Sequence, residues 1–340
     1  MQTRLALSPS VLRAVTGAFF ACVAAAASAW ADPLPSWNDT APKAAIVDFI
    51  ERVTQEGGVD FVPAAERIAV FDNDGTLWAE QPIYFQFQFA FDRVAALAPQ
   101  HPAWQQMQPF KGILEGDAKA VAASGEHGVL GILAATHAGM STAAFGEIVD
   151  GWLAGAQHPR FKRPYTELVY QPMLELLAYL RASGFKTFVV SGGGVEFMRR
   201  FAGRVYGIPP EQVIGSSGVV KFEASAEGSI QLIKEPKVEF VDDGPGKPVG
   251  INRFIGRQPV FAFGNSDGDL QMLQYTEAGK GPRFLGLVHH TDSDREWAYD
   301  RSSHIGKLDK ALDEARARRW TVVDMKTDWN ALFPPRQAAE

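Results

Sequence analysis

Apolar positions recur along the chain with two periods. Ile46, Phe49, Ile50 and Val53 fall at i, i+3, i+4 and i+7, behind Thr40 and with Pro42 in the first turn, which predicts an amphipathic helix capped by Thr40. Met173, Leu176, Leu177 and Leu180 repeat that spacing, and Gly184 closes the second helix. Between such stretches lie short apolar-rich runs, Ile68 to Phe71, Lys186 to Val190, Pro259 to Phe263 and Phe284 to Val288, which end in polar loops. Runs of this length predict buried strands. Their alternation with helices predicts an α/β fold with a mainly parallel sheet covered on both faces. Ligands of such sheets gather at the carboxyl ends of the strands.

The pattern changes between Trp78 and Tyr170, where helix-like segments such as Ala143 to Leu153 replace buried strands. Phe85, Phe87, Phe89 and Phe91 alternate with a period of two, yet their neighbours favour helix, and helix is the reading adopted. Val219 to Glu223 and Ser229 to Lys234, separated by Ala-Glu-Gly, predict a hairpin. The expected organisation is therefore a core formed by residues 32–78 and 171–340, with a helical insertion over residues 79–170.

The first residues read as an address. Arg4 and Arg13 precede or flank a small, apolar run to Ala29, followed by Ala29-Trp30-Ala31 and Asp32-Pro33. This pattern predicts a signal peptide spanning residues 1–31, cleavage after Ala31, and a periplasmic or secreted mature protein without stable membrane insertion. Phe19-Phe20-Ala21 makes a poor lipid-attachment context for Cys22, the single cysteine of the 340 residues, so the mature chain has no disulfide. With 33 Lys+Arg against 39 Asp+Glu the formal charge is −6, and no basic block offers a footprint for nucleic acid. Arg316, Arg318 and Arg319 are read as a solvated helix face.

Candidate chemistry clusters where predicted strands end. Asp72-Asn73-Asp74-Gly75-Thr76 places two carboxylates two residues apart, one suited to nucleophilic attack on phosphorus and the other to general acid and base work. Two acids so close call for a divalent cation with a preference for oxygen, which Mg²⁺ satisfies. Thr76 suits either holding the loop or holding phosphate. Ser191-Gly192-Gly193-Gly194 offers a hydroxyl and backbone N–H groups before a helix starting at Val195, an anion site. Gly264-Asn265-Ser266-Asp267-Gly268-Asp269 adds oxygen ligands at a third strand end, and Lys247 can neutralise a transferring phosphoryl group. Lys234 and Lys237 are rivals for that role. His289-His290 lacks a third spaced ligand for zinc, and no Gly-x-x-x-x-Gly-Lys loop is present.

Taken together in this order, the four motifs resemble those of the haloacid dehalogenase superfamily, in particular its phosphoserine-phosphatase-like phosphohydrolases, over about residues 65 to 290. The resemblance implies a Rossmann-like core with an inserted helical cap, and a Mg²⁺-dependent phosphatase of small phosphorylated metabolites acting through an aspartyl-phosphate. It implies Asp72 as nucleophile and metal ligand, Asp74 as acid/base with its backbone carbonyl on the metal, and Thr76, Ser191, Gly192 and Lys247 around the phosphoryl group. Asn265 and Asp269 complete the implied metal site, with Asp267 as a neighbouring alternative. Glu80 stands one position early for the glutamate that phosphoserine phosphatases place after the first motif. A dehalogenase, a phosphomutase and an exported phosphoester-binding protein without turnover are the competing readings. Asp74 argues against the dehalogenase, whose chemistry needs no second acid there.

Overall fold

The computed structural model describes residues 32–225 and 228–336. Residues 1–31, read above as a signal peptide, lie outside the described residues. Among those described, no helix is long and apolar enough to cross a membrane.

In chain order, α1 (Ala41–Thr54) leads to β1 (Ile68–Phe71), and the helices α2 (Phe85–Leu97), α3 (Phe110–Glu115), α4 (Ala118–Ala123), α5 (Gly125–His137) and α6 (Thr142–Gly155) follow. Next come α7 (Gln171–Ala182), β2 (Lys186–Gly194), α8 (Val195–Met198), α9 (Ala202–Tyr206), β3 (Val213–Ala224), β4 (Ile230–Phe240) and α10 (Gly246–Phe254). The chain closes with β5 (Phe261–Gly264), α11 (Leu270–Glu277), β6 (Phe284–His289), α12 (Lys310–Arg318), β7 (Thr321–Asp324) and α13 (Met325–Asp328). The Phe-rich stretch is thus helical.

The strands form one seven-stranded sheet in the order β4-β3-β2-β1-β5-β6-β7. All neighbours run parallel except β3 and β4, which form the predicted hairpin in antiparallel register, Phe222 opposite Leu232. From β1 the chain builds outward through β2, β3 and β4 before returning to β5 on the other side. Strand order therefore reverses beside β1, where loops diverge and leave a crevice at the carboxyl ends.

Each central strand divides its side chains between two cores, because successive residues point to opposite faces. Ala69, Phe71, Phe261 and Phe263 pack with Phe49 and Leu177 on one face. Ile68, Val70 and Ala262 pack with Leu273, Leu285 and Leu312 on the other. All four residues of β1 are buried, which is why the strand reads as an unbroken apolar run. Phe261 anchors the first face, its ring stacked on Phe284 with centroids 4.6 Å apart. The inserted helices carry a smaller core of their own around Val94, Trp104, Phe110 and Ile132.

Three local expectations change. Thr40 stands at the start of α1 but its hydroxyl caps nothing there, bonding instead to the Asn38 carbonyl. The helix starting at Val195 is a single turn. The strand β7 was not anticipated, since four residues of mixed burial leave little periodic signal. The arginines Arg316, Arg318 and Arg319 are exposed.

Replacing Phe261 by Ala empties a fully buried site, and the expected loss is ~3–5 kcal/mol of unfolding free energy. Urea denaturation of the variant against the wild type measures it.

Candidate active site

Three adjacent strands deliver the polar groups. The Asp72 amide still donates to Phe263 O at 3.0 Å, so its backbone remains part of the sheet while its side chain enters the crevice. The chain then folds back tightly, with Asn73 O accepting from Thr76 N at 3.2 Å and Leu77 N at 2.8 Å. Gly75 sits at φ +72°, and a Cβ there would run into the Asn265 and Glu80 side chains. Only glycine fits this turn.

Lys247, on α10, lies beneath the crevice at 2% exposure. Its Nζ donates to Asp72 Oδ1 at 2.6 Å, to Asp269 Oδ1 at 2.6 Å and to Val190 O at 3.0 Å. Burial opposes its charge, but the Asp269 and Asp72 carboxylates outweigh that penalty and hold the ammonium above the ordinary lysine range. Lys247 is thus the lysine beside Asp72. Its rivals line the same cavity without bonding Asp72: Lys234 pairs with Glu196, and Lys237 is largely exposed.

The second carboxylate is held differently. Trp78 Nε1 donates to Asp74 Oδ1 at 2.7 Å, and burial raises the Asp74 pKa to about 6 even against that bond. Trp78 is itself buried, stacked on Phe201. Asn265 Nδ2 donates to Glu80 Oε1 at 2.9 Å, and Thr76 Oγ1 donates to Asn265 Oδ1 at 3.1 Å. Tyr299 OH also donates to Glu80 Oε1, at 2.6 Å. Glu80 is therefore occupied with positioning Asn265, and its own pKa is pushed well up by burial.

These contacts reassign several residues. Thr76 is fully buried and gives its hydroxyl to Asn265, so it fastens the loop and is not available to phosphate. Asp269 is not an open metal ligand: Oδ1 accepts from Lys247, and Oδ2 accepts from Asn265 N at 2.9 Å and Ser266 N at 3.0 Å. Asp267 leaves the crevice altogether, its Oδ1 accepting Asp309 N and Ala311 N, both at 2.9 Å, where α12 begins. Beside Asp72, Ser191 Oγ accepts from Gly193 N at 3.1 Å, while Gly194 N is taken by Gln86 Oε1 at 2.8 Å. Ser191 and Gly192 line the cavity with Asp72, Asp74 and Lys247.

No group of three or more His, Cys, Asp or Glu side chains among the described residues is arranged to hold a metal, so a hard divalent cation here would draw on the Asp72 carboxylate together with neutral oxygens, the Asn265 amide and the Asp74 backbone carbonyl. Asp72 and Asp269 share the Lys247 ammonium, Asp74 is held by Trp78 and Glu80 by Asn265 and Tyr299, and Asp72 Oδ2 has no hydrogen-bond partner among the described residues. Burial and, after it, the Asp269 charge push the Asp72 carboxyl well up, while Lys247 pulls the other way. Oxygen donors at a carboxylate-rich site suit Mg²⁺.

A family model for haloacid dehalogenase-like hydrolases matches residues 69–274, from within β1 into α11, a stretch that holds Asp72, Asp74, Ser191, Lys247, Asn265 and Asp269. The chain belongs to this haloacid dehalogenase-like hydrolase family. Among solved structures, the hydrolase is similar to a protein of unknown function from Bordetella pertussis, 18% identical with a TM-score of 0.48, over 76% of this chain and 99% of that one. It is also similar to a phosphoserine phosphohydrolase-like protein from Francisella tularensis, 17% identical with a TM-score of 0.37, over 74% and 99% of the two chains. No curated protein matches it.

Several residues of this hydrolase escaped sequence reasoning. His290, read as strand-end polarity, places Nε2 2.8 Å from the Gly75 carbonyl oxygen, beneath the Asp72–Trp78 loop, and Nδ1 3.1 Å from Glu296 Oε2. Tyr170 OH donates to Glu296 Oε1 at 2.9 Å. Nothing in the spacing of residues 75, 170, 290 and 296 announces that they meet. Asp242 is a further case: it is fully buried, and neither carboxylate oxygen has a well-aligned hydrogen-bond partner among the described residues.

Burial lifts Asp242 from 3.8 to about 7, with Lys247 pulling the other way. Its folded pKa thus exceeds the unfolded value, the folded state binds more protons between them, and stability falls as pH rises through that window. Asp242→Asn removes this term. Relative to the wild type, the variant is expected to gain thermal stability from pH 5 to pH 8; a difference in Tm that stays constant over that range contradicts the assignment.

Proposed function

We propose that this hydrolase is an exported, Mg²⁺-dependent phosphatase that cleaves phosphate monoesters through an aspartyl-phosphate on Asp72. The observation that carries the reading is the Asp72 carboxylate, fixed by Lys247 at Oδ1 and open to the cavity at Oδ2, with a second, independently held carboxylic acid on Asp74. The pattern of residues 1–31 supports export.

In the first half-reaction Asp72 Oδ2 attacks phosphorus, the bond to the leaving oxygen breaks, and Asp74 gives that oxygen its proton. A raised pKa of about 6 keeps a useful fraction of Asp74 protonated near neutrality. In the second, Asp74 takes a proton from water, the water oxygen attacks phosphorus, and the Asp72–phosphorus bond breaks to release orthophosphate. Lys247 balances the charge on Asp72 and the phosphoryl group. Ser191 and the Gly192 backbone hold the phosphoryl oxygens. When bound by the Asp72 carboxylate, the Asp74 backbone carbonyl and the Asn265 amide oxygen, Mg²⁺ would offset the negative charge of the phosphoryl oxygens. The helices α2 to α6 act as the cap that shields this chemistry from bulk water.

Phosphate release from a panel of monoesters, with Mg²⁺ and with chelator, is the direct test. Turnover that requires Mg²⁺ is expected. Asp72→Asn is expected to abolish it with folding preserved, and Asp74→Asn to slow it roughly 10²–10⁴-fold. Wild-type turnover by purified Asp72→Asn would falsify the nucleophile.

A further inference from the structure

We infer that the cavity accepts phosphate monoesters whose leaving group is long, apolar and uncharged, an inference that rests on the phosphatase reading above. The cavity above Asp72 has a volume of about 960 Å³, near the top of the ~300–1,000 Å³ range of small-molecule sites. The phosphoryl chemistry occupies one part of it. Elsewhere its walls are Phe87 on α2, Leu130 and Leu133 on α5, Phe145 on α6, and Pro236 and Val238 on β4. The hairpin is fastened to the helices here by Gly139 N donating to Lys234 O and Lys234 N donating to Met140 O, both at 2.9 Å. The apolar walls are therefore held by main-chain bonds.

Each lysine of these walls has a carboxylate beside it, while Asp243, also in the lining, has no ion-pair partner among the described residues. Lys234 is bonded to Glu196 and lies 4.7 Å from the centre of the Phe145 ring, and Lys237 lies 3.9 Å from Glu235. Burial lowers the His137 pKa to about 3, so its ring is neutral at ordinary pH. Among the described residues no arginine lines the cavity. A phosphorylated amino acid would bring a carboxylate, for which the lining offers no arginine and only lysines that already stand beside carboxylates. Burying an unpaired charge is costly, whereas an alkyl or aryl group gains from the apolar walls.

The test is phosphate release from ethyl, butyl, hexyl and octyl phosphate, with O-phosphoserine as the charged comparator. Each buried methylene contributes ~0.8 kcal/mol, about fourfold, so burying even three of the six methylenes added from ethyl to octyl raises kcat/KM about 60-fold, and phosphoserine is expected below octyl phosphate. A flat series, or phosphoserine as the best substrate, overturns the inference and leaves the phosphatase reading standing. Calorimetric binding of the matching alkylphosphonates reads the cavity without turnover. Affinity that climbs with chain length while no ester is hydrolysed removes the phosphatase reading and retains the apolar site; affinity independent of length overturns the site. Leu133→Glu, and Leu130→Glu at a more exposed position, are each expected to bring the octyl-to-ethyl ratio of kcat/KM toward one. An unchanged ratio in both folded variants also counts against the inference.

Discussion

The active-site architecture turns on one buried ammonium. Lys247 reaches the Asp72 and Asp269 carboxylates and the Val190 carbonyl together, so groups at the ends of β1, β2 and β5 are tied to one point on α10. Removing one partner from such a buried set leaves charges without compensation, typically at a cost of ~3–5 kcal/mol. The carboxylates keep Lys247 charged, and Lys247 in turn makes it tolerable to hold Asp72 and Asp269 together away from water. Asp269 converts this charge balance into geometry, because its second oxygen fixes the amides of Asn265 and Ser266.

A second layer supports the loop from below. His290 joins the Gly75 carbonyl to Glu296, and Tyr170 closes that chain. Glu80, Tyr299, Asn265 and Thr76 form the companion chain on the other side. Buried polar networks are favourable only when their members are satisfied, and here most groups are. The consequence is a rigid turn carrying two carboxylates whose side chains are held by unrelated partners, Lys247 for Asp72 and Trp78 for Asp74. The two carboxyl groups, two residues apart, are thus held by different donors, an ammonium and an indole N–H.

The hairpin and the inserted helices complete the enclosure. β4 leaves the sheet as its antiparallel edge strand and bonds through its backbone to the segment between α5 and α6. A sheet edge that would otherwise expose unpaired groups is partly covered, and the same contact gives the cavity an apolar wall. The hairpin therefore serves both the sheet and the cavity wall.

How much of this was legible in the sequence follows from the range of each interaction. The unbroken apolar run Ile68 to Phe71, the glycine needed at Gly75 and the order of the four polar loops are local facts, and they determined the parallel sheet, the helical insertion and the neighbourhood of Asp72, Asp74, Ser191, Lys247 and Asn265. The position of Lys247 ahead of the acidic loop already favoured it over Lys234 and Lys237, whereas the use of Asp267 to cap α12 and of Thr76 to hold Asn265 was not local. His290 and Glu296 reach the loop only because β6 ends two strands from β1. Periodicity states which residues are buried and in what element. Which carboxylate faces an ammonium, which faces an amide and which faces the cavity depends on side-chain direction across strands distant in the chain, and only the packed tertiary structure decides that.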